Sequence, residues 1–116
     1  MKPAATALVM YSRTTPCPFV SLAKRVLDAH KVTYHEVHID QSKLYEQRVL
    51  TWTGFLSVPT LVVARPGEEV PYAEPAPLPK DASPRGINRG PMITEPSEDQ
   101  LVNWLQEYGF LNGAGG

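Results

Sequence analysis

The chain has 116 residues, of which 42% are hydrophobic and 20% charged, with a formal net charge of -1. A chain of this size supports one compact domain with one core, so residues 1–116 are expected to form a single unit. The near-neutral balance excludes the basic footprint of a nucleic-acid binder and the polybasic patch of a membrane-surface protein, which leaves small molecules and other proteins as partners.

Met1–Thr6 lead into an apolar stretch too short and wrongly flanked for a signal peptide, and nothing approaches membrane-spanning length. A cytoplasmic protein is expected. Residues 7–12 read as a buried strand, followed at once by Thr15-Pro16-Cys17-Pro18-Phe19-Val20. From Phe19 the apolar positions Phe19, Leu22, Ala23, Val26 and Leu27 fall at helical spacing, and Pro18 suits the first helical position. Cys17 is thereby placed at a helix start, where orphan backbone N–H groups and the positive end of the helix dipole favour thiolate over thiol. It is the only cysteine, so no internal disulfide can form and any disulfide must join it to another molecule. An inert core cysteine would have apolar neighbours on both sides, whereas Cys17 lies between Pro16 and Pro18.

Thr33 to Ile39 reads as the second strand, with Thr33, His35, Val37 and Ile39 on one face and Tyr34, Glu36 and His38 on the other. His35 and His38 therefore cannot share one ion, His30 is read as ending the first helix, and no metal site is assigned. Asp40 and Ser42 mark a turn, and Tyr45, Val49 and Trp52 define a second helix over about Lys43 to Thr53 that stops at Gly54. A strand, helix and strand in this order imply parallel pairing through a right-handed crossover, so the fold class is α/β. Leu61–Ala64 is the next strand, and Arg65-Pro66-Gly67-Glu68 suits a hairpin into a fourth strand over Glu69–Tyr72. Residues 65–96 hold most of the chain's 12 prolines and read either as a stiff surface loop or as a partner-binding arm before the last helix. Ser97-Glu98-Asp99-Gln100 then forms a capping box ahead of Leu101, Val102, Trp104, Leu105 and Tyr108, and Gly109 stops that helix. Trp52, Trp104 and Tyr108 are read as packing residues, and residues 112–116 as a flexible tail.

Three stretches together resemble the glutaredoxin family of the thioredoxin-like fold: Met10–Val20 around the Cys-Pro pair, Val32–Asp40, and Thr53-Gly54-Phe55-Leu56-Ser57-Val58-Pro59-Thr60. The likeness covers residues 7–64 and, more weakly, the final helix. It implies a four-stranded mixed sheet flanked by three helices, with a proline-rich insertion before the last one. It further implies that Pro59 is cis and that Val58 pairs with the backbone of glutathione, whose sulfur is thereby aligned on Cys17. Arg13 falls near the family's thiol-activating cation, with Pro16 lengthening the loop by one residue; Pro18 and Phe19 flank the sulfur, Thr15 offers a loop hydrogen bond, and Arg48 is a candidate for a glutathione carboxylate.

Two departures shape the expected activity. Dithiol relatives carry a second cysteine where this chain has Val20, so the resemblance implies the monothiol route, in which Cys17 removes glutathione from a protein mixed disulfide. The family's Gly-Gly pair before the last helix is replaced by Glu95-Pro96-Ser97-Glu98; Pro96 lacks an N–H, and Ser97 with the Glu98 backbone is left as the anion site. Arg85, Asn88 and Arg89 of the insertion are candidates to bring compensating positive charge. The expected function is glutathione-dependent thiol–disulfide exchange by a monomer, with glutathione as cosubstrate and thiol or disulfide proteins as partners. The alternative is a binding module on the same fold, either carrying a glutathione-ligated [2Fe–2S] cluster or docking a partner through the insertion; Pro18 stands where cluster-carrying relatives typically have glycine.

Overall fold

A computed structural model describes residues 3–111; the expected tail over residues 112–116 lies outside the described residues. The elements run β1 (Ala7–Ser12), α1 (Pro18–Ala29), β2 (His35–His38), α2 (Lys43–Thr53), β3 (Thr60–Ala64), β4 (Met92–Thr94) and α3 (Glu98–Glu107). They build an α/β fold on one four-stranded mixed sheet of order β2-β1-β3-β4, the thioredoxin-like arrangement. β1 pairs with β2 in parallel, as a strand–helix–strand connection requires, and with β3 in antiparallel fashion.

The two central strands are apolar without interruption because both faces of the sheet are covered. Tyr11 meets Tyr45 and Trp52 of α2 edge to face, with ring centroids 5.8 and 5.1 Å apart, so α2 covers the face that Tyr11 shares. Ser12 points the other way, donating to Glu36, and Lys24 of α1 reaches the same carboxylate at 2.9 Å. α1 therefore covers the opposite face, with α3 packed beside it. α1 buries Val20, Ala23, Val26 and Leu27, with Phe19 and Leu22 at the margin, which is the stripe that helical spacing defined. α2 ends where expected, on Gly54 in the left-handed region at φ 80°, and Ser97 closes a complete capping box on α3.

The fourth strand is not where hairpin logic put it. Glu69–Tyr72 forms no strand; its one backbone bond to β3 is from Tyr72 N–H to Val63, 2.9 Å. Pro71 has no N–H for a ladder, and the Glu69 carboxylate is turned toward His35, Tyr45 and Arg48. The strand role passes to Met92–Thr94, which pairs antiparallel with β3. The proline-rich segment is thus a long excursion between β3 and β4, and it is folded back on itself. Ala76 N–H donates to Arg89, Arg89 N–H to Met92, and the Arg89 guanidinium to the carbonyls of Ala76 and Trp52. Among the described residues no helix is long and apolar enough to cross a membrane.

Candidate active site

Cys17 is the N-cap of α1, in extended conformation at φ -150° and ψ 121°, and its carbonyl accepts the first helical bond from Ser21 at 2.9 Å. Pro18 at N1 has no N–H to satisfy, so the helix starts without cost behind the sulfur. Contrary to the expectation from its flanking prolines, Cys17 is buried, at 8% exposed, and joins the apolar core cluster; its Sγ lies 3.8 Å from the carbonyl oxygen of Val58, to which it donates. The Val58–Pro59 peptide is cis. Among the described residues the Val58 N–H has no hydrogen-bond partner. A polar backbone edge therefore borders the sulfur, one group on the thiol and one free.

The loop before Cys17 is held from two sides. Arg13 donates through Nη2 to the carbonyl of Pro16 at 2.9 Å, while its buried Nε has no partner among the described residues. The N–H and hydroxyl of Thr14 both donate to the carboxylate of Asp40, and the hydroxyl bond is the chief reason that the Asp40 carboxyl sits below the usual range. Thr15 and Pro18 are exposed beside the sulfur, and Phe19 is half-buried. Val20 is 6% exposed in the core, so the position two residues beyond Pro18 is committed to packing.

Across the mouth, the Glu95 N–H donates to the Pro59 carbonyl at 2.8 Å, and the hydroxyls of Thr60 and Thr94 bond at 3.0 Å. The end of β4 is thereby fixed against the Val58–Pro59 turn. Ser97 is taken up by the capping box: its N–H donates to the Gln100 side chain at 2.8 Å and its Oγ accepts from the Gln100 N–H at 3.2 Å. Glu98, the first helical residue, is exposed. Of the anion site expected from the Ser97 hydroxyl and the Glu98 N–H, the hydroxyl oxygen is engaged by the Gln100 N–H and the Glu98 N–H is left.

Of the three candidates in the insertion, two of them cationic and Asn88 a neutral amide, one reaches the mouth. The Arg85 guanidinium lies 4.8 Å above the Phe19 ring, and its Nε donates to Glu95 at 3.2 Å. Asn88 instead bonds Glu107 at 2.9 Å, and Arg89 is a buried strut, so neither brings charge to the groove. Arg48 also turns away, toward Tyr11 and Glu69 at 3.3 and 3.5 Å, and serves the cluster beneath α2. His35 bonds Glu69 and His38 bonds Glu36, on opposite faces of β2, so the alternation of the strand holds. Asp40, read only as marking a turn, is the residue here that pattern reading missed. Glu95, named as part of the stretch that replaces the Gly-Gly pair, adopts φ 46° and is tied to Arg85 and to the Pro59 carbonyl.

A family model for glutaredoxin matches residues 8–66, which takes in β1, the Cys17 loop, α1, β2, α2 and the Val58–Pro59 turn through β3. The chain belongs to the glutaredoxin family. No curated protein matches it. The match ends at the start of the proline-rich excursion, so Arg85, Glu95 and the capped α3 lie beyond the matched residues. The glutaredoxin assignment makes the chain a member of a thiol–disulfide oxidoreductase family, and its one cysteine stands at the head of α1.

Proposed function

We propose that this glutaredoxin carries out glutathione-dependent exchange by a one-cysteine route at Cys17. The observation that carries the reading is the sulfur at the N-cap of α1, 3.8 Å from a Val58 carbonyl whose own N–H is unpartnered among the described residues. That free N–H and its neighbouring carbonyl are what an extended cysteinyl backbone needs in order to lie antiparallel beside Val58 with its sulfur on Cys17. Arg13, Thr15, Pro18 and Phe19 border that position, and Pro59, Ser97 and Glu98 bound its far side.

In the first step the Cys17 thiolate attacks the glutathione sulfur of a protein mixed disulfide. The protein leaves as a thiolate, takes a proton from water, and is reduced; Cys17 is now disulfide-bonded to glutathione. A second glutathione thiolate attacks that adduct at the glutathione sulfur, giving oxidised glutathione and restoring the Cys17 thiolate. Electrons balance with glutathione as the only reductant. With Val20 buried in the core and no second cysteine, no internal disulfide diverts the adduct. The same lone thiol suits a reducing compartment and a chain that acts as a monomer on thiol and disulfide proteins.

Mass analysis after exposure to oxidised glutathione tests the reading. One adduct of a single glutathione is expected, removed by excess reduced glutathione and absent in Cys17→Ser. A Cys17 that stays unmodified overturns it and leaves a binding module on a glutaredoxin fold.

A further inference from the structure

The excursion between β3 and β4 does more than cross the surface: it delivers one arginine to the thiol mouth and fixes it there. Arg85 forms a parallel bridge with Thr94, and the next residue, Gly86, donates its N–H to the Thr94 carbonyl at 2.7 Å. Thr94 pairs with Thr60, which directly follows Pro59, so Arg85 sits at the same end of the sheet as the Val58–Pro59 turn. Its guanidinium face covers Phe19, two residues beyond Cys17, at 4.8 Å. Its Nε edge is held by Glu95 at 3.2 Å, and Glu95 is itself tied to Pro59.

The remaining edge is unused. Neither Nη of Arg85 has a partner among the described residues, and the side chain is 58% exposed against 15% for Glu95. A guanidinium carries five donors in a planar fork, and the terminal pair matches the two oxygens of a carboxylate. Fixing the fork by a ring on one face and a carboxylate at Nε removes much of the rotamer freedom that binding would otherwise have to take away. Glu95 neutralises one side of the cation while leaving the fork toward solvent. In the loop before Cys17, Arg13 is bonded to Pro16 and has no carboxylate partner among the described residues, while the exposed Asp40 carboxylate is taken up by the N–H and hydroxyl of Thr14. Asp81 is the exposed acid nearest to Arg85 in sequence, and Glu98 and Asp99 stand exposed at the start of α3.

We propose that Arg85 is a specificity-determining residue of this thiol site, its free Nη pair receiving a carboxylate of the disulfide partner, so that anionic disulfides react in preference to neutral or cationic ones. The inference rests on the redox reading of Cys17. The carboxylate belongs either to a small thiol or to an acidic side chain of a polypeptide, since the fork reads only the carboxylate.

The test measures the rate at which reduced protein forms a mixed disulfide with dithiodipropionate (anionic), hydroxyethyl disulfide (neutral) and cystamine (cationic), each normalised to its rate with a small neutral thiol. Wild type is expected to prefer the three in that order, with the preference shrinking at high salt. Arg85→Ala and Arg85→Gln should each lower the anionic-to-neutral ratio by about fivefold or more, the scale of one charge-assisted hydrogen bond. Arg85→Lys should recover part of it. A disulfide-linked acidic peptide compared with its amidated form assigns the carboxylate to a polypeptide if their ratio depends on Arg85, and to a small thiol if it does not. Equal normalised rates for the three compounds, or a ratio unchanged in both Arg85 variants, overturn the proposal while leaving the redox reading intact. Absence of any adduct at Cys17 is the failure of the redox reading instead.

Discussion

Replacing Arg89 by methionine removes the donors that fasten the proline-rich excursion to α2 while keeping most of the apolar stem. Arg89 is 7% exposed; its Nε donates to the Ala76 carbonyl at 2.7 Å and its Nη1 to the Trp52 carbonyl at 2.6 Å. Trp52 lies in the last turn of α2, where carbonyls have no helical partner, so the guanidinium also caps a negative helix end. Burial disfavours the charged form and draws the arginine below its ordinary range, which offsets part of the gain. The dominant loss in Arg89→Met is two part-buried hydrogen bonds from a charged donor, at about 1.5–3 kcal/mol each and partly offset by release of the buried charge, for a net cost of roughly 2–4 kcal/mol. For a domain whose total stability is about 5–15 kcal/mol this is a large share. With a urea slope of about 1.5 kcal/mol/M, the unfolding midpoint should fall by about 1.3–2.7 M. Hydrogen exchange at the Ala76 N–H, which donates to the Arg89 carbonyl at 3.0 Å, should accelerate in parallel. A midpoint within about 0.3 M of wild type, with Ala76 exchange unchanged, would refute the argument that this cation holds the excursion in place.

Gly86→Ala should cost about 2–3 kcal/mol, read by urea midpoint, from a left-handed backbone and a lost cap together. Gly86 has φ 74°, and a Cβ there would lie 2.6 Å from the Gln100 side-chain oxygen, which must swing away and open the capping box; a wild-type midpoint would disprove the coupling. Stability should also decline on the acid side. Burial opposes ionisation of Glu36, but the Ser12 hydroxyl and Lys24 outweigh it and hold the carboxyl below its usual range. Burial likewise opposes ionisation of Glu69, and the bonds from His35 and Tyr45 overcome it. Both carboxylates thus contribute stability above the unfolded value of about 4.3, and that contribution is lost as pH falls through the lower folded values. The thermal midpoint of Glu36→Gln combined with Glu69→Gln should be less sensitive to pH over that window; an unchanged acid limb would show that other groups govern it. At the alkaline end, burial followed by the nearby Tyr72 and Glu107 pushes the Tyr108 hydroxyl up to about 12. Spectrophotometric titration should therefore find the last tyrosine step well above 10, beyond the smaller rises that burial gives Tyr11, Tyr34 and Tyr45, and Tyr108→Phe should remove that step.

What could be read from the chain and what could not divide along the range of the interactions involved. Helices α1, α2 and α3 were legible because their signals are local: Pro18 at N1, Gly54 at a left-handed stop, and the Ser97–Gln100 capping box all act within one turn. β1 and β3 were legible as unbroken apolar runs. Cys17 was singled out by residue type and by its place before a helix, the Val58–Pro59 turn by the resemblance to the glutaredoxin family, and the fold brings them to 3.8 Å. β4 escaped because three residues after a proline carry no period, and because Glu69–Tyr72 offered a nearer hairpin that Pro71 rules out.

The sequence alone determined the class of fold, the one thiol in the chain and the lack of a second cysteine to pair with it, because residue identity and short-range spacing suffice for each. Tertiary structure decided the fate of the charges. Arg85, Arg89 and Arg48 look alike as letters, yet one is held at the thiol mouth by Phe19 and Glu95, one is buried as a strut between α2 and the excursion, and one is drawn into the Glu69 cluster. A long, flexible cation takes whichever acceptor the folded backbone presents, and those acceptors come from segments tens of residues away, so its role exists only once the chain has closed.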